Sequence, residues 1–210
     1  MTQRDKLMIF HLAIGGAMAL AGLAGLDQIL AQYLRASGTE GIGVLMQGTS
    51  LLDTATGKEI SKFLVGLAVT AFGLILLLPA GTRLLARRAL FVGIVQLLGT
   101  TLTGVLKNVF GRLRPFELLQ SGDWSHAWFV GGSAFPSGHA GFYFGLFLPL
   151  AYLFPRRWWA LLMVPWFIAV ARIDANHHFL SDVGVSIVIV AGLCLLFRRV
   201  APFARNKVSG

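Results

Sequence analysis

The sequence predicts an all-α protein, a single polytopic membrane domain over residues 1–210 folded as a six-transmembrane-helix bundle. Three observations carry that expectation. Hydrophobic residues make up 56% of the 210 and charged residues only 13%, about half the charged share of an ordinary soluble domain. The apolar residues come in continuous runs, several approaching the roughly 20 residues that a helix needs to cross a bilayer. The basic residues gather on one side of the bundle that those runs define.

Six apolar segments can be read, at about 7–26, 63–80, 89–106, 140–154, 158–173 and 183–197. The fourth and sixth are short for a full span, so each is expected to extend into flanking residues shielded by protein rather than lipid. Arg4 and Lys6 precede the first segment as they would a signal peptide. Its apolar run is longer than a signal core, however, and no clear cleavage site follows, which favours a retained helix. An outer loop over 27–62 connects the first two segments. Val44, Leu45, Leu51 and Leu52 recur there at seven-residue spacing, which fits either a short interfacial helix or a plain connecting loop. Cys194 lies alone in an apolar run, so neither an internal disulfide nor a cysteine metal cluster is available. His11, inside the first segment, reads as a packed core residue.

The net charge of +9 invites a nucleic-acid reading, and the placement of the charges answers it. With the N-terminus inside, the inner face holds Arg4, Lys6, Arg83, Arg87, Arg88, Arg156, Arg157, Arg198, Arg199, Arg205 and Lys207, and of the acidic residues only Asp5. That is the asymmetry of cytoplasmic loops. It leaves a nucleic-acid partner little to explain.

The chemistry sits at the opposite, outer ends of the helices. Lys107 ends the third segment and is followed by Arg112, Arg114 and Pro115; Pro136-Ser137-Gly138-His139 opens the fourth; Arg172 closes the fifth; His178 and Asp182 lead into the sixth. Lys107 offers a point charge, and Arg114 and Arg172 offer planar forks that match phosphate oxygens in pairs. Pro115 is expected to turn the chain out after Arg114. Gly138 admits close backbone approach, and N–H groups around Ser137 and Gly138 at a helix start suit an anion. His178 and Asp182, four apart, would share a helical face. The carboxylate then accepts a proton from one ring nitrogen, leaving the other as a lone pair aimed at phosphorus. Three cations and two histidines around one anion make a site for phosphoryl transfer through a phosphohistidine, with no metal or other cofactor required.

Each signal alone has a plainer explanation: snorkelling cations, a Ser137 helix cap, a structural His–Asp hydrogen bond. Their ordered spacing at one membrane depth is what sets them apart. His177 points about 100° away from His178 on a helix and reads as structural. Asp174 either competes with Asp182 for His178 or, more ordinarily, pairs with an arginine. Arg112 either widens the phosphate clamp or is a loop charge. His126 lies among Trp124, Trp128 and Phe129, an aromatic group suited to the membrane interface or to a substrate mouth.

These residues resemble the type 2 phosphatidic acid phosphatase superfamily. Its first motif, Lys, six residues, then Arg-Pro, is matched by Lys107, Arg114 and Pro115; its second, Pro-Ser-Gly-His, by residues 136–139. Its third, Ser-Arg, five residues, His, three residues, Asp, is matched by Arg172, His178 and Asp182, with Ala171 in place of the serine. The resemblance spans about residues 60–197, with the motifs in 107–182. It implies that His178 is the nucleophile, Asp182 its orienting partner and His139 the general acid. Lys107, Arg114, Ser137, Gly138 and Arg172 would hold the phosphate of a lipid substrate. A multi-pass place in a bacterial inner membrane, with the site facing the periplasm, follows from the same likeness. Soluble vanadium haloperoxidases share such a pocket, but six apolar segments argue against one. A lipid phosphotransferase using the same intermediate, and a lipid carrier with a non-catalytic site, are the alternatives. Undecaprenyl diphosphate, phosphatidylglycerophosphate, phosphatidic acid and lipid A all fit as substrates.

Overall fold

The computed structural model describes residues 2–38 and 41–200, and among them every regular element is helical. Arg205 and Lys207, counted above among the inner-face charges, lie outside the described residues. Helix α1 (Gln3–Ala21) starts at Thr2, whose hydroxyl accepts from the Asp5 amide while the Asp5 carboxylate accepts from the Thr2 amide; this reciprocal cap satisfies two otherwise orphaned donors. A π-helical turn at Gly22–Leu26, with Gly25 at φ 127°, bends the chain into α2 (Asp27–Ser37). There follow α3 (Gly43–Ala55), α4 (Leu64–Ile75), a 3₁₀ turn (Ala80–Thr82), α5 (Arg83–Phe110), α6 (Pro115–Ser121), α7 (Gly138–Leu153), α8 (Trp158–Asp174) and α9 (Leu180–Phe197).

The six apolar segments fall on α1, α4, α5, α7, α8 and α9. Three helical stretches, Gln3–Ser37, Ala80–Ser121 and Leu180–Phe197, are long and apolar enough to cross a membrane. Helices α4, α7 and α8 have 12, 16 and 17 residues, about 18–26 Å at the helical rise, short of a hydrocarbon core of about 30 Å. Length and composition therefore carry three crossings among the described residues, against the six expected. Outward faces of these helices carry exposed Phe10, Leu20, Phe72 and Leu196, and the chain has the character of a membrane protein.

Of the two readings of the 27–62 stretch the helical one holds, since α2 and α3 occupy much of it and Val44, Leu45, Leu51 and Leu52 lie on α3. One local expectation is corrected. Pro115 does not turn the chain away from a helix; it starts α6, where its missing N–H costs nothing. The break between α5 and α6 lies earlier, at Gly111, which takes the left-handed conformation (φ 48°).

Helix α7 is central and packs against α5, α8 and α9, with Ala140, Phe144, Leu148 and Ala151 fully buried. Helices α1 and α9 cross at two glycines. A Cβ on Gly15 would lie 2.8 Å from the Gly184 carbonyl oxygen, and one on Gly184 2.6 Å from that of Gly15. Small residues permit this approach, and it seats the first turns of α9 against the bundle, beside the motif residues.

Candidate active site

Backbone hydrogen bonds bring the three motifs together. After Gly111 the chain runs beside residues 127–134: the Leu113 amide donates to Ala127 O (2.9 Å), Gly132 to Gly111 O (2.9 Å) and Ala134 to Arg112 O (2.8 Å). Ser133 and Ala134 are thereby laid over the end of α5. The Ser137 amide donates to Asp182 O at 3.0 Å, and Ser186 Oγ donates to Ser137 O at 2.9 Å, tying the start of α7 to that of α9.

The cations converge on this seam. Lys107, in the last turn of α5, donates to the Ser133 carbonyl, and Arg114 Nη2 donates to Ser133 Oγ at 3.1 Å. Gly138 matters for the same lysine, because a Cβ there would lie 3.2 Å from Lys107 Cε. Arg172, at the end of α8, donates through Nη2 to His177 Nδ1. His177 thus braces a phosphate-binding candidate. Ser137 is fully buried, and its hydroxyl caps α7 by accepting from the Ala140 amide (3.3 Å).

His178 is 3% exposed and does not lie on the face of α9. It precedes the helix, and Phe179 is the N-cap. Its Nδ1 lies 2.9 Å from Ala134 O and 3.5 Å from Asp182 Oδ2. A carbonyl only accepts, so Nδ1 carries the proton and Nε2 keeps the lone pair. The direct partner is therefore the Ala134 carbonyl, and the sequence offers no signal for a backbone acceptor 44 residues away. Burial, and then the charges of Lys107, Arg172, His139 and Arg114, hold the His178 imidazole well below its ordinary pKa of 6.5, in the neutral form that a nucleophile needs.

Asp182 is engaged elsewhere. It caps α9 through the Phe179 amide (2.8 Å) and accepts from Arg112 Nη1 (2.7 Å). Arg112 is neither part of a phosphate clamp nor a loose loop charge. It is buried, donates to Asp27 Oδ2 (2.8 Å) and Ser181 Oγ (2.7 Å), and lies between the rings of Trp128 and Phe179 at 4.4 and 3.9 Å. The Asp174 carboxylate accepts from the Ile42 amide at 2.8 Å, so it fastens the entry to α3 and competes for no histidine. Trp124 packs on Phe179, whereas His126 stays exposed with Ser125 and Asp123.

His139 faces a group the motifs do not contain. Its Nε2 is 2.9 Å from Asp53 Oδ2 and 2.6 Å from Lys58 Nζ. Asp53 also accepts from Lys58 (2.9 Å) and from the Tyr143 hydroxyl (2.7 Å). Burial alone would raise the Asp53 carboxyl; hydrogen bonds from His139, Tyr143 and Lys58 outweigh it and hold the group below the usual carboxylate range. Burial lowers the Lys58 ammonium, and the hydrogen bond to Asp53 offsets part of that. A cavity of about 240 Å³ lined by Lys58, Lys62, Lys107, Gly138 and His139 opens on one side. Another of about 200 Å³ is lined by Asp53, Glu59, Ala171, Arg172 and His177. No cluster of three or more His, Cys, Asp or Glu suited to a metal ion occurs among the described residues.

A family model described as the PAP2 superfamily matches residues 88–206. A lipid A 1-phosphatase from Rhizobium johnstonii is 35% identical over 98 residues, which are 45% of this chain and 40% of that protein's length. No solved structure matches the chain.

Proposed function

The chain belongs to the PAP2 superfamily, and on that premise we propose that it is an integral membrane lipid phosphatase working through a phosphohistidine on His178. One observation carries the reading: a buried histidine has its Nδ1 tied to Ala134 O and its amide to Arg172 O, while Lys107 and Arg114 both donate to the adjoining Ser133. Partly buried cations of this kind stabilise the charge on an in-line phosphoryl transition state.

In the first step His178 Nε2 attacks phosphorus. The bond to the leaving lipid oxygen breaks with its electron pair, and His139 gives that oxygen a proton. Neutral His139 then takes a proton from water as the water oxygen attacks phosphorus. The N–P bond returns its electrons to Nε2, and inorganic phosphate leaves. Lys107, Arg114 and Arg172 hold the phosphoryl oxygens throughout, with amides at the start of α7 around Gly138.

The six-span, N-in arrangement with an outward-facing site belongs to the same proposal, supported by the placement of Arg4, Lys6, Arg83, Arg87, Arg88, Arg156 and Arg157 on one face. It puts the enzyme in a bacterial inner membrane with its site toward the periplasm. The lipid A 1-phosphatase relative makes the 1-phosphate of lipid A the first substrate to assay. Undecaprenyl diphosphate, phosphatidylglycerophosphate and phosphatidic acid follow. The test is release of free phosphate by the purified full chain, in excess EDTA, from each of these lipids. Turnover that vanadate inhibits supports the mechanism. Complete loss in EDTA, restored by one specific metal, would sink it.

A further inference from the structure

Asp53 belongs to none of the three motifs and lies on α3, 86 residues from His139 in sequence. Nevertheless, its contact with His139 (2.9 Å) is shorter than that of Asp182 with His178 (3.5 Å). Both of its oxygens are engaged: Oδ2 by His139 Nε2 (2.9 Å) and Lys58 Nζ (2.9 Å), Oδ1 by the Tyr143 hydroxyl (2.7 Å). Tyr143 follows His139 by four residues on α7 and so shares its face. Lys58 Nζ, 2.6 Å from Nε2, adds a constraint, because two N–H groups cannot point at each other across that gap. When Nε2 carries a proton, it donates to Asp53 and the Lys58 protons turn to the same carboxylate. When Nε2 is bare, Lys58 donates to it.

We infer that Asp53 is the positioning residue of the general acid: it fixes the His139 ring through Nε2 and leaves Nδ1 to face the leaving oxygen. The inference rests on the phosphatase reading above and deepens it. With an anionic phosphate in the site, His139 takes the imidazolium form, with Nε2–H donating to Asp53 and Nδ1–H directed at the substrate. As the P–O bond breaks, the Nδ1 proton moves to the leaving oxygen, whose new electron pair takes it up. His139 is left neutral, with Nε2–H still on Asp53. In the second step Nδ1 takes a proton from the attacking water, and the imidazolium is restored. Asp53 stays ionised throughout. Lys58 and Tyr143 hold it in place, and Lys58 balances its charge when His139 is neutral. A carboxylate in this role acts on chemistry rather than on binding, and it matters most when the leaving group is a poor one.

A bland alternative uses the same atoms: Asp53 could be a clip that fastens α3 to α7. The two are separated by turnover of a short-chain alkyl phosphate and an aryl phosphate, measured on the purified full chain and its variants. Asp53→Asn is expected to lower kcat about 10²-fold on the alkyl ester with KM nearly unchanged, and less than about 10-fold on the aryl ester. Asp53→Glu should recover part of the loss. In a His139→Ala background, Asp53→Asn should cost almost nothing more, because the group it positions is gone. Tyr143→Phe, which keeps the carboxylate and removes one of its donors, should show the same leaving-group bias at smaller size, so the inference remains testable if Asp53→Asn folds poorly. Equal losses on both esters, or full additivity with His139→Ala, would overturn the inference and leave the phosphatase reading standing. Absence of turnover by the unsubstituted chain on either ester and on the lipids would overturn both.

Discussion

The two histidines of the site are built in opposite ways. His178 is 3% exposed, and a backbone carbonyl holds it; behind it Asp182 and Arg112 are buried. His139 has a side chain 21% exposed, and its partner Asp53 is 13% exposed. It is held by side chains alone, from a helix and a turn that reach over from the other side of the site. A nucleophile needs one tautomer and a dry approach to phosphorus, which burial and a carbonyl supply. A group that trades protons with a leaving oxygen and then with water must stay within reach of solvent. The contrast is thus between a fixed half and an accessible half.

The hardest blow to that contrast comes from removing each histidine in turn. His178→Ala is expected to abolish phosphate release, since no neighbour can form the covalent intermediate. His139→Ala should cost on the order of 10²–10⁴ in kcat on a lipid ester and much less where the leaving group needs no proton. Retained activity in His178→Ala, with loss in His177→Ala, would reassign the nucleophile.

The next largest effect is on stability. Arg112→Met leaves Asp27 and Asp182 buried without their shared cation, a defect that costs about 3–5 kcal/mol in comparable settings. Lys58→Met removes one of three donors to Asp53, whose side chain is 13% exposed; His139 and Tyr143 still serve the carboxylate, so the expected cost is about 1–2 kcal/mol. Thermal midpoints in detergent should fall far more for Arg112→Met. Equal shifts would erase the distinction between a fixed and an accessible half.

The two halves also differ in how far the sequence discloses them. The six apolar runs all became helices, and the motif residues at their ends fell along one hydrogen-bonded seam, because hydrophobic runs and helix ends are local properties. The partnership of Asp53 with His139 and that of Ala134 with His178 are tertiary, and no spacing records them. Even within the motifs, periodicity misled: the four-residue spacing of His178 and Asp182 suggested one helical face, but α9 begins only at Leu180. Asp182 caps that helix instead. Arg112 carried no motif role, and only the structure shows it clamped between Asp27 and Asp182.

pH separates the halves more gently. The His178 pKa is lowered on folding, so the imidazole stays neutral as pH drops through the ordinary histidine range. Below about 6.5 the unfolded chain takes up a proton that the folded one refuses, and stability from this group is lost as pH falls. For turnover the consequence is that the acidic limb of kcat/KM should follow the second ionisation of the substrate phosphate, near 6 for a simple ester. It should move to lower pH with a more acidic aryl phosphate. A limb fixed near 6.5 for both substrates would mean that the nucleophile itself titrates there, and that the buried half is less fixed than its geometry implies.

The smallest expected effect concerns the one departure from the motif pattern. Ala171 stands where the resemblance places serine. It is buried and lines the same cavity as Arg172, Asp53 and His177. In Ala171→Ser the new hydroxyl has two choices. It can bond back to the carbonyl four residues earlier in α8, which leaves the site unchanged. Alternatively, it can turn into the cavity and donate to a bound phosphate, where one net hydrogen bond is worth about 0.5–1.5 kcal/mol, roughly a 2- to 10-fold change in affinity. The cavity of about 200 Å³ has room for one oxygen atom, so the second outcome is expected: inorganic phosphate should inhibit the variant 2- to 10-fold more strongly, with kcat little changed. A fall in kcat larger than about 10-fold, without tighter phosphate binding, would mean that the hydroxyl disturbs Asp53 or Arg172 instead. Ala171 would then be a necessary fit to the Asp53–His139 pair, and the accessible half would be as tightly determined as the buried one.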